Sequence, residues 1–350
     1  MRHAMKIAAA IALLAVLTAA GCRKSQPPAP TGGGATGQPA GGGESIAAKK
    51  TYTIAVIPKG TSHVFWQFVH AGAAKAEAEL SNADAKISIK WQGPATEGDF
   101  SVQSQIVTDM VSRKVDAIVL APLDDKALVP AVEAAAKANI PVIIFDSDIQ
   151  CDKYVSFVAT DNLKGGMNAG EALAGLLGGK GKVALVMYAP GSASTTHREN
   201  GFREALKKYP DIKLVDEQYG LQTVELAKGK VEDMLSKNPD LDGIFACNES
   251  TAVGAVQALK SLNKAGKIKM VGFDATPALQ TALTEKSLDA LVAQHPFKMG
   301  YEAVKAAVEH LNGKKVEKRI DTGVYVITRE NLAKPEIQEA VSPDIKKYLK

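Results

Sequence analysis

Single polar and aromatic side chains recur just behind short apolar runs of this 350-residue sequence. Behind Ile54-Ala55-Val56-Ile57 come Lys59, His63 and the pair Phe65-Trp66. Behind Ala117-Ile118-Val119-Leu120 comes Asp124-Asp125, and behind Val142-Ile143-Ile144-Phe145 come Asp146 and Asp148. Arg198, Asn248-Glu249, Asp274 and Gln294 follow at comparable places later in the chain. Carboxylates and amides make paired hydrogen bonds to neighbouring hydroxyls, and an arginine presents a rigid fork of donors. An aromatic ring adds a flat apolar surface for the C–H face of a sugar. The set suits recognition of a polyol. Taken singly, each residue also has a plainer role: Asp and Asn are common in turns and helix caps, and Phe65 and Trp66 would serve equally as core at a helix start.

Covalent chemistry finds less support. Neither a G-x-S-x-G nucleophile elbow nor H-E-x-x-H occurs, and the six histidines do not cluster with metal-ligand spacing. Gly178-Gly179-Lys180-Gly181-Lys182 resembles a phosphate loop only briefly: it precedes a strand and lacks a Ser or Thr after the lysine, so it reads as a turn. The first strand leads into Pro58-Lys59-Gly60-Thr61-Ser62-His63 rather than a dinucleotide-binding G-x-G-x-x-G. The expectation is a binding protein with no catalytic residues, no metal and no cofactor.

The elements that must carry these residues alternate. The runs at 54–57, 87–91, 117–120 and 142–145 are separated by helical patterns at 65–80, 99–113 and 126–138. A second series runs from Tyr154: strands at 154–158, 183–187, 212–216, 243–246, 268–271 and 290–293, with helices at 163–177, 195–208, 223–236, 251–262 and from Pro277. Strict alternation with continuous apolar strands predicts α/β lobes built on doubly wound parallel sheets covered on both faces. Ligands of such sheets sit beyond the carboxyl ends of the strands, where the polar residues fall. A helix at 297–311 and a late strand at 324–327 follow, and the chain is expected to cross back between lobes there.

Composition agrees with a soluble globular protein, at 46% hydrophobic, 23% charged and 5% aromatic residues. The formal charge of +4 is too small to suggest nucleic acid. The first segment differs. Arg2, His3 and Lys6 precede an apolar stretch, Ile7 to Leu17, and then Ala19-Ala20-Gly21-Cys22. The stretch is shorter than the about 20 apolar residues of a membrane span and reads as a signal peptide. It resembles a bacterial lipoprotein signal in which Cys22 becomes diacylated, with Ala19 where leucine is favoured. Residues 23–50, dominated by Pro, Gly, Ala, Ser and Thr, bury too little to fold and read as a tether. Cys151 and Cys247 are expected in different lobes as two buried free thiols.

From about Tyr52 to Ile327 the chain resembles the ribose-binding-protein group of periplasmic sugar receptors of ABC importers. The residues that carry the likeness are Phe65-Trp66, Asp116-Ala117-Ile118 leading to Pro122, and Ile140-Pro141-Val142 leading to Asp146. With them stand Thr160-Asp161-Asn162 with Gly165-Gly166, Arg198 ahead of Gly201-Phe202, Asn248, Val271-Gly272-Phe273-Asp274 and Gln294. The resemblance implies that Phe65 and Trp66 sandwich or flank a sugar ring. It implies that Asp146, Arg198, Asn248, Asp274 and Gln294 bond the sugar's hydroxyls, and it sets Lys59 and His63 at contact positions. Three departures leave the substrate open: Lys59 replaces a small polar residue, Ser147 follows Asp146 in place of an arginine, and no aromatic stands near Gln222 unless Tyr219 substitutes. Lys59 is either a contact for a more anionic substrate or a solvated lysine at the rim.

From their own sequence, residues 1–21 are expected as a lipoprotein signal peptide and 22–50 as a flexible tether, and the resemblance to the sugar receptors implies the boundaries of the two lobes. The N-terminal lobe is 51–160 plus 295–323, and the C-terminal lobe 161–294 plus 324–350. The protein is expected as a monomer in the periplasm or cell envelope, lipid-anchored to a membrane, capturing a sugar in the interlobe cleft and delivering it to an ABC permease. A non-sugar solute such as an autoinducer or a polyol, or a sensory role at a membrane receptor, stays open as the alternative.

Overall fold

The computed structural model describes residues 50–82 and 85–349. The expected signal peptide, Cys22 and the tether up to residue 49 lie outside the described residues. Twelve strands and ten α-helices follow in near-strict alternation among those described. They are β1 (Lys50–Ile57), α1 (Val64–Leu80), β2 (Ala85–Trp91), α2 (Phe100–Ser112), β3 (Ala117–Leu120), α3 (Val129–Lys137), β4 (Val142–Phe145), β5 (Ser156–Ala159), α4 (Asn162–Leu176), β6 (Lys180–Met187) and α5 (Ala193–Leu206). The series continues with β7 (Asp211–Tyr219), α6 (Val224–Lys237), β8 (Gly243–Ala246), α7 (Glu249–Ser261), β9 (Lys269–Phe273), α8 (Pro277–Thr284), β10 (Ala290–Ala293), α9 (Pro296–Leu311), β11 (Arg319–Asp321), β12 (Tyr325–Ile327) and α10 (Pro335–Val341). Lys180–Lys182, read as part of a turn, instead begin β6; only Gly178 and Gly179 turn.

The strands form two six-stranded sheets, ordered β11-β5-β4-β3-β1-β2 and β12-β10-β9-β8-β6-β7. Every pairing is parallel except β10 with β12, an antiparallel edge. The inner strands β3, β4, β8 and β10 are four residues each and buried throughout, as sheets covered on both faces require. Each sheet has an apolar core on either side. In the first lobe one core joins the sheet to α1 and α9, the other to α2 and α3. In the second, one joins it to α4 and α5, the other to α6, α7, α8 and α10.

The chain passes between the sheets at Thr160–Asp161, Gln294–His295 and Thr322–Gly323. Thr160 Oγ1 donates to Gly323 O at 3.2 Å, and Arg319 Nη2 donates to Thr160 O at 2.9 Å, so two of the three crossings are tied together. Beyond α10, whose Ile337, Ala340 and Val341 join the second lobe's core, the chain turns back. Tyr348 packs its ring 5.5 Å from that of Phe297 on α9, so the last residues lie against the first lobe rather than the second. Cys151 and Cys247 are both free, one in each lobe; Cys247 is buried, whereas Cys151 is only partly so. Among the described residues no helix is long and apolar enough to cross a membrane.

Candidate ligand-binding cleft

Between the lobes lies a narrow cavity, nearly closed by the side chains that line it. Lys59, His63, Phe65, Trp66, Asp146, Arg198, Asn248, Asp274 and Gln294 all line it, together with Glu97, Tyr188, Ser194, Thr195 and Glu249. The strand ends deliver most of them. Asp146 follows β4 and Asp274 follows β9, the fourth strand of each lobe, and both adopt left-handed backbone, at φ 60° and 71°. Aspartate tolerates this conformation better than most side chains, and such geometry clusters where a site fixes a residue's direction.

The loop after β1 is held by Gln103 of α2, whose Nε2 donates to Pro58 O at 2.9 Å and Ala121 O at 2.7 Å. Lys59 therefore projects inward at 3% exposure, which excludes a solvated rim lysine. Its Nζ lies 3.1 Å from Asp146 Oδ2 and donates across the cleft to Ser192 Oγ at 3.2 Å and Ser194 Oγ at 3.1 Å. Ser147, the departure beside Asp146, accepts the Ser194 amide at 3.0 Å. Both departures from the ribose-type pattern thus join the lobes to each other.

A carboxylate not nominated from the sequence, Glu97, organises the aromatic wall. Its Oε1 is 2.8 Å from His63 Nδ1 and accepts Trp66 Nε1 at 2.6 Å; its Oε2 accepts Tyr188 Oη, from the other lobe, at 2.5 Å. A side chain at Gly60 would press on Glu97, since a Cβ there would fall 2.9 Å from Glu97 Cγ. Burial opposes the Glu97 charge, yet the His63 hydrogen bond and charge, with the Tyr188 and Trp66 donors, bring it down to about 2. Burial likewise works against the His63 cation, and Glu97 outweighs it, raising His63 to about 9. Phe65 and Trp66 are at once core and cavity wall, and their rings meet edge to face at 4.8 Å and 88°. They make a corner, and two perpendicular rings do not form the parallel walls of a sandwich.

In the second lobe Arg198 is locked from three sides. Nε donates to Asn162 Oδ1 at 2.8 Å, Nη1 donates to Cys247 O at 3.0 Å, and the guanidinium sits 3.9 Å from the centre of the Phe273 ring. That lock depends on close helix packing: a Cβ on Gly166 of α4 would lie 1.9 Å from Arg198 O, and one on Gly201 of α5 would lie 2.1 Å from Leu163 O. Asn248 caps α7, accepting Thr251 N at 3.2 Å while Nδ2 donates to Ser250 Oγ at 3.2 Å. Asp274 accepts Glu249 N at 2.9 Å and Gln294 Nε2 at 2.9 Å. Burial pushes the Asp274 carboxyl up, against the nearby Arg198 charge and the Gln294 donor. Gln294 Oε1 is buried with no hydrogen-bond partner, an acceptor that a bound hydroxyl would satisfy.

The cavity sets three basic side chains, Lys59, His63 and Arg198, against four carboxylates, Glu97, Asp146, Glu249 and Asp274. Lys59 pairs with Asp146 and His63 with Glu97, Arg198 forms no ion pair among the described residues, and carboxylates outnumber basic side chains in the lining. Tyr219, the suggested substitute aromatic, is 39% exposed and does not line the cavity; Tyr188 does. Tyr188 directly follows the strand expected at 183–187, so the strand-end rule that found Asp146 also points to it. Glu97 had no such signal, because it sits six residues past β2. Asp124 and Asp125 serve turns: Asp124 accepts the Lys126 and Ala127 amides, and Asp125 accepts Gln150 Nε2.

Two α/β lobes joined by three crossings, with a polar and aromatic cavity fed from the strand ends of both, define a hinged solute-binding protein. The sequence pattern of the periplasmic binding protein domain matches residues 54–315, and the chain belongs to that family. It is 31% identical over 284 residues to the ribose import binding protein of Bacillus subtilis, covering 81% of this chain and 89% of that one. It is likewise 31% identical over 285 residues to a D-ribose/D-allose-binding protein of Pseudomonas aeruginosa, covering 79% and 88%. Among solved structures, an ABC transporter solute-binding protein of Agrobacterium vitis with bound D-fucose superposes with a TM-score of 0.79 at 40% identity, covering 83% of this chain and 99% of that one. A carbohydrate solute-binding protein of Agrobacterium radiobacter in complex with D-arabinose gives 0.80 at 33% identity, covering 84% and 99%.

Proposed function

We propose that this protein captures one neutral monosaccharide, or a closely similar polyol, between its lobes and delivers it to the permease of an ABC importer. The observation that carries the reading is the cavity's balance. Lys59 pairs with Asp146 and His63 with Glu97, while Arg198, Asn248, Asp274 and the free Gln294 acceptor offer directional bonds beside the Phe65–Trp66 corner. Neutral hydroxyls need donors and acceptors without net charge. The sugars bound to the related proteins are of this kind. Capture proceeds by population shift: a ligand that bonds both lobes at once favours the closed form by its differential affinity, and no bond of the ligand is made or broken.

The nine sequence-nominated residues are assigned to ligand contact on this reading, with Lys59 and His63 acting chiefly through Asp146 and Glu97. The Ala19-Ala20-Gly21-Cys22 sequence supports diacylation of Cys22, and the Gly-rich stretch behind it supports a tethered monomer held at a membrane in the periplasm or envelope. Thermal-shift titration with D-ribose, D-allose, D-arabinose and D-fucose tests the ligand class. At least one is expected to raise the melting temperature, while glucose 6-phosphate leaves it unchanged. Stabilisation by the phosphate ester and by none of the neutral sugars would refute the reading.

A further inference from the structure

Helix α1 begins without a cap from its own lobe. His63, at its N-cap, makes no side-chain capping bond, and its first turn holds no acidic residue. The Val64 and Phe65 amides donate instead to Glu249, at 3.3 Å to Oε1 and 3.1 Å to Oε2. Glu249 is the first residue of α7 and belongs to the other lobe. A carboxylate in this position satisfies amides that the helix leaves open and faces the positive end of its dipole. Because the two bonds span the cleft, they exist only while the lobes are together. The turn they cap carries Phe65 and Trp66.

We propose that Glu249 is a positioning residue of ligand capture: it latches the closed lobes by capping α1 from across the cleft, and so holds the Phe65–Trp66 corner against the ligand. The proposal rests on the sugar-capture reading for its ligand, but the latch itself needs none. The groups facing Glu249 are His63 at the start of α1 and Asp274 at the end of β9, with Glu97 behind His63 and Arg198 of α5 in the same cavity. Burial pushes Glu249 up to about 6 against the pull of the His63 charge. With the lobes apart that burial is gone, and the carboxyl relaxes toward its ordinary 4.5. Closure thereby takes up a proton between these values and strengthens as the pH falls from 7 to 5.

Two measurements on the wild type, Glu249→Ala and Glu249→Gln test this. Small-angle scattering of the sugar-free proteins reads closure directly: Glu249→Ala is expected to be more extended than the wild type. Stopped-flow dissociation of the tightest-binding of the four monosaccharides reads the latch in the complex. Loss of a helix cap is expected to speed release about tenfold in Glu249→Ala. Glu249→Gln keeps only one of the two acceptor oxygens, so its release falls between those of the wild type and Glu249→Ala, and the pH step between 5 and 7 shrinks. Wild-type scattering and release in Glu249→Ala, or a pH step undiminished in Glu249→Gln, overturns the latch. A wild type that binds none of the sugars fails the capture reading alone, because the scattering comparison still judges the latch.

Discussion

Replacing Lys59 with methionine keeps the length of the stem and removes the charge that holds Asp146 in the closed cleft. In the structure Nζ has three oxygen partners at 3.1–3.2 Å: Asp146 Oδ2 in its own lobe, and Ser192 Oγ and Ser194 Oγ in the other. Both members of the ion pair are almost fully buried, at 4% and 5% side-chain exposure. Removing one partner of a buried pair costs about 3–5 kcal/mol, because the other charge stays behind unpaired. Each hydroxyl bond lost across the cleft adds about 1 kcal/mol. When the lobes separate, water reaches Asp146 and relieves most of the first penalty, so the loss falls on closure rather than on folding. At about 1.4 kcal/mol per factor of ten, Lys59→Met should weaken sugar binding on the order of 100-fold or more. Its sugar-free melting temperature should change little. Adding Asp146→Asn removes the stranded charge and should recover at least about tenfold of that loss. Isothermal titration with the tightest-binding monosaccharide reads both. Affinity of Lys59→Met within about threefold of the wild type, or no recovery in the double variant, would refute this account of the pair.

Glu199 lies buried on α5, its Oε1 accepting the Tyr188 amide at 3.4 Å, and burial pushes its carboxyl up to about 7. Its folded value is raised above the ordinary 4.5, so its contribution to stability is fully present below that value and is lost as pH rises through 7. At about 1.4 kcal/mol per unit the loss reaches about 3 kcal/mol. The melting temperature of the wild type should therefore fall between pH 5 and 8 more steeply than that of Glu199→Gln; parallel curves would contradict the assignment. Gly166→Ala puts a methyl group 1.9 Å from Arg198 O, a backbone atom that cannot swing aside. Parting α4 from α5 should cost about 3 kcal/mol and lower the melting temperature by roughly 5 °C or more. Sugar affinity should fall with it as Arg198 moves, and an unchanged melting temperature would show that the helices part freely.

The strands were legible in the sequence because apolar runs such as 117–120, 142–145, 243–246 and 290–293 are buried on both faces, and burial writes itself as unbroken hydrophobicity. β11 and α10 escaped notice for the opposite reason. Arg319–Asp321 is a half-solvated edge of three residues, and α10 is two turns held to the second lobe by a few side chains. Asp146 and Asp274 were legible because each directly follows a strand at the end where a parallel sheet gathers its ligand, and Arg198 because it lies within two turns of the start of α5 at that same end. What the sequence could not carry is pairing across the cleft. Lys59 looked like a rim residue or an anion contact until Asp146, Ser192 and Ser194 stood around it. Glu97 and Glu249 matter through partners 31 to 185 residues away in the chain, and no local pattern encodes such distances.

On the proposed function, the cleft closes on one neutral polyhydroxylated molecule. Native mass spectrometry of the protein, both as purified and after incubation with the four monosaccharides, tests it most directly. One added mass per chain is expected, equal to an unmodified monosaccharide or polyol and weakened in Lys59→Met. An adduct carrying a phosphate or a fatty acyl chain in the cleft, with no sugar adduct at any concentration, would contradict it.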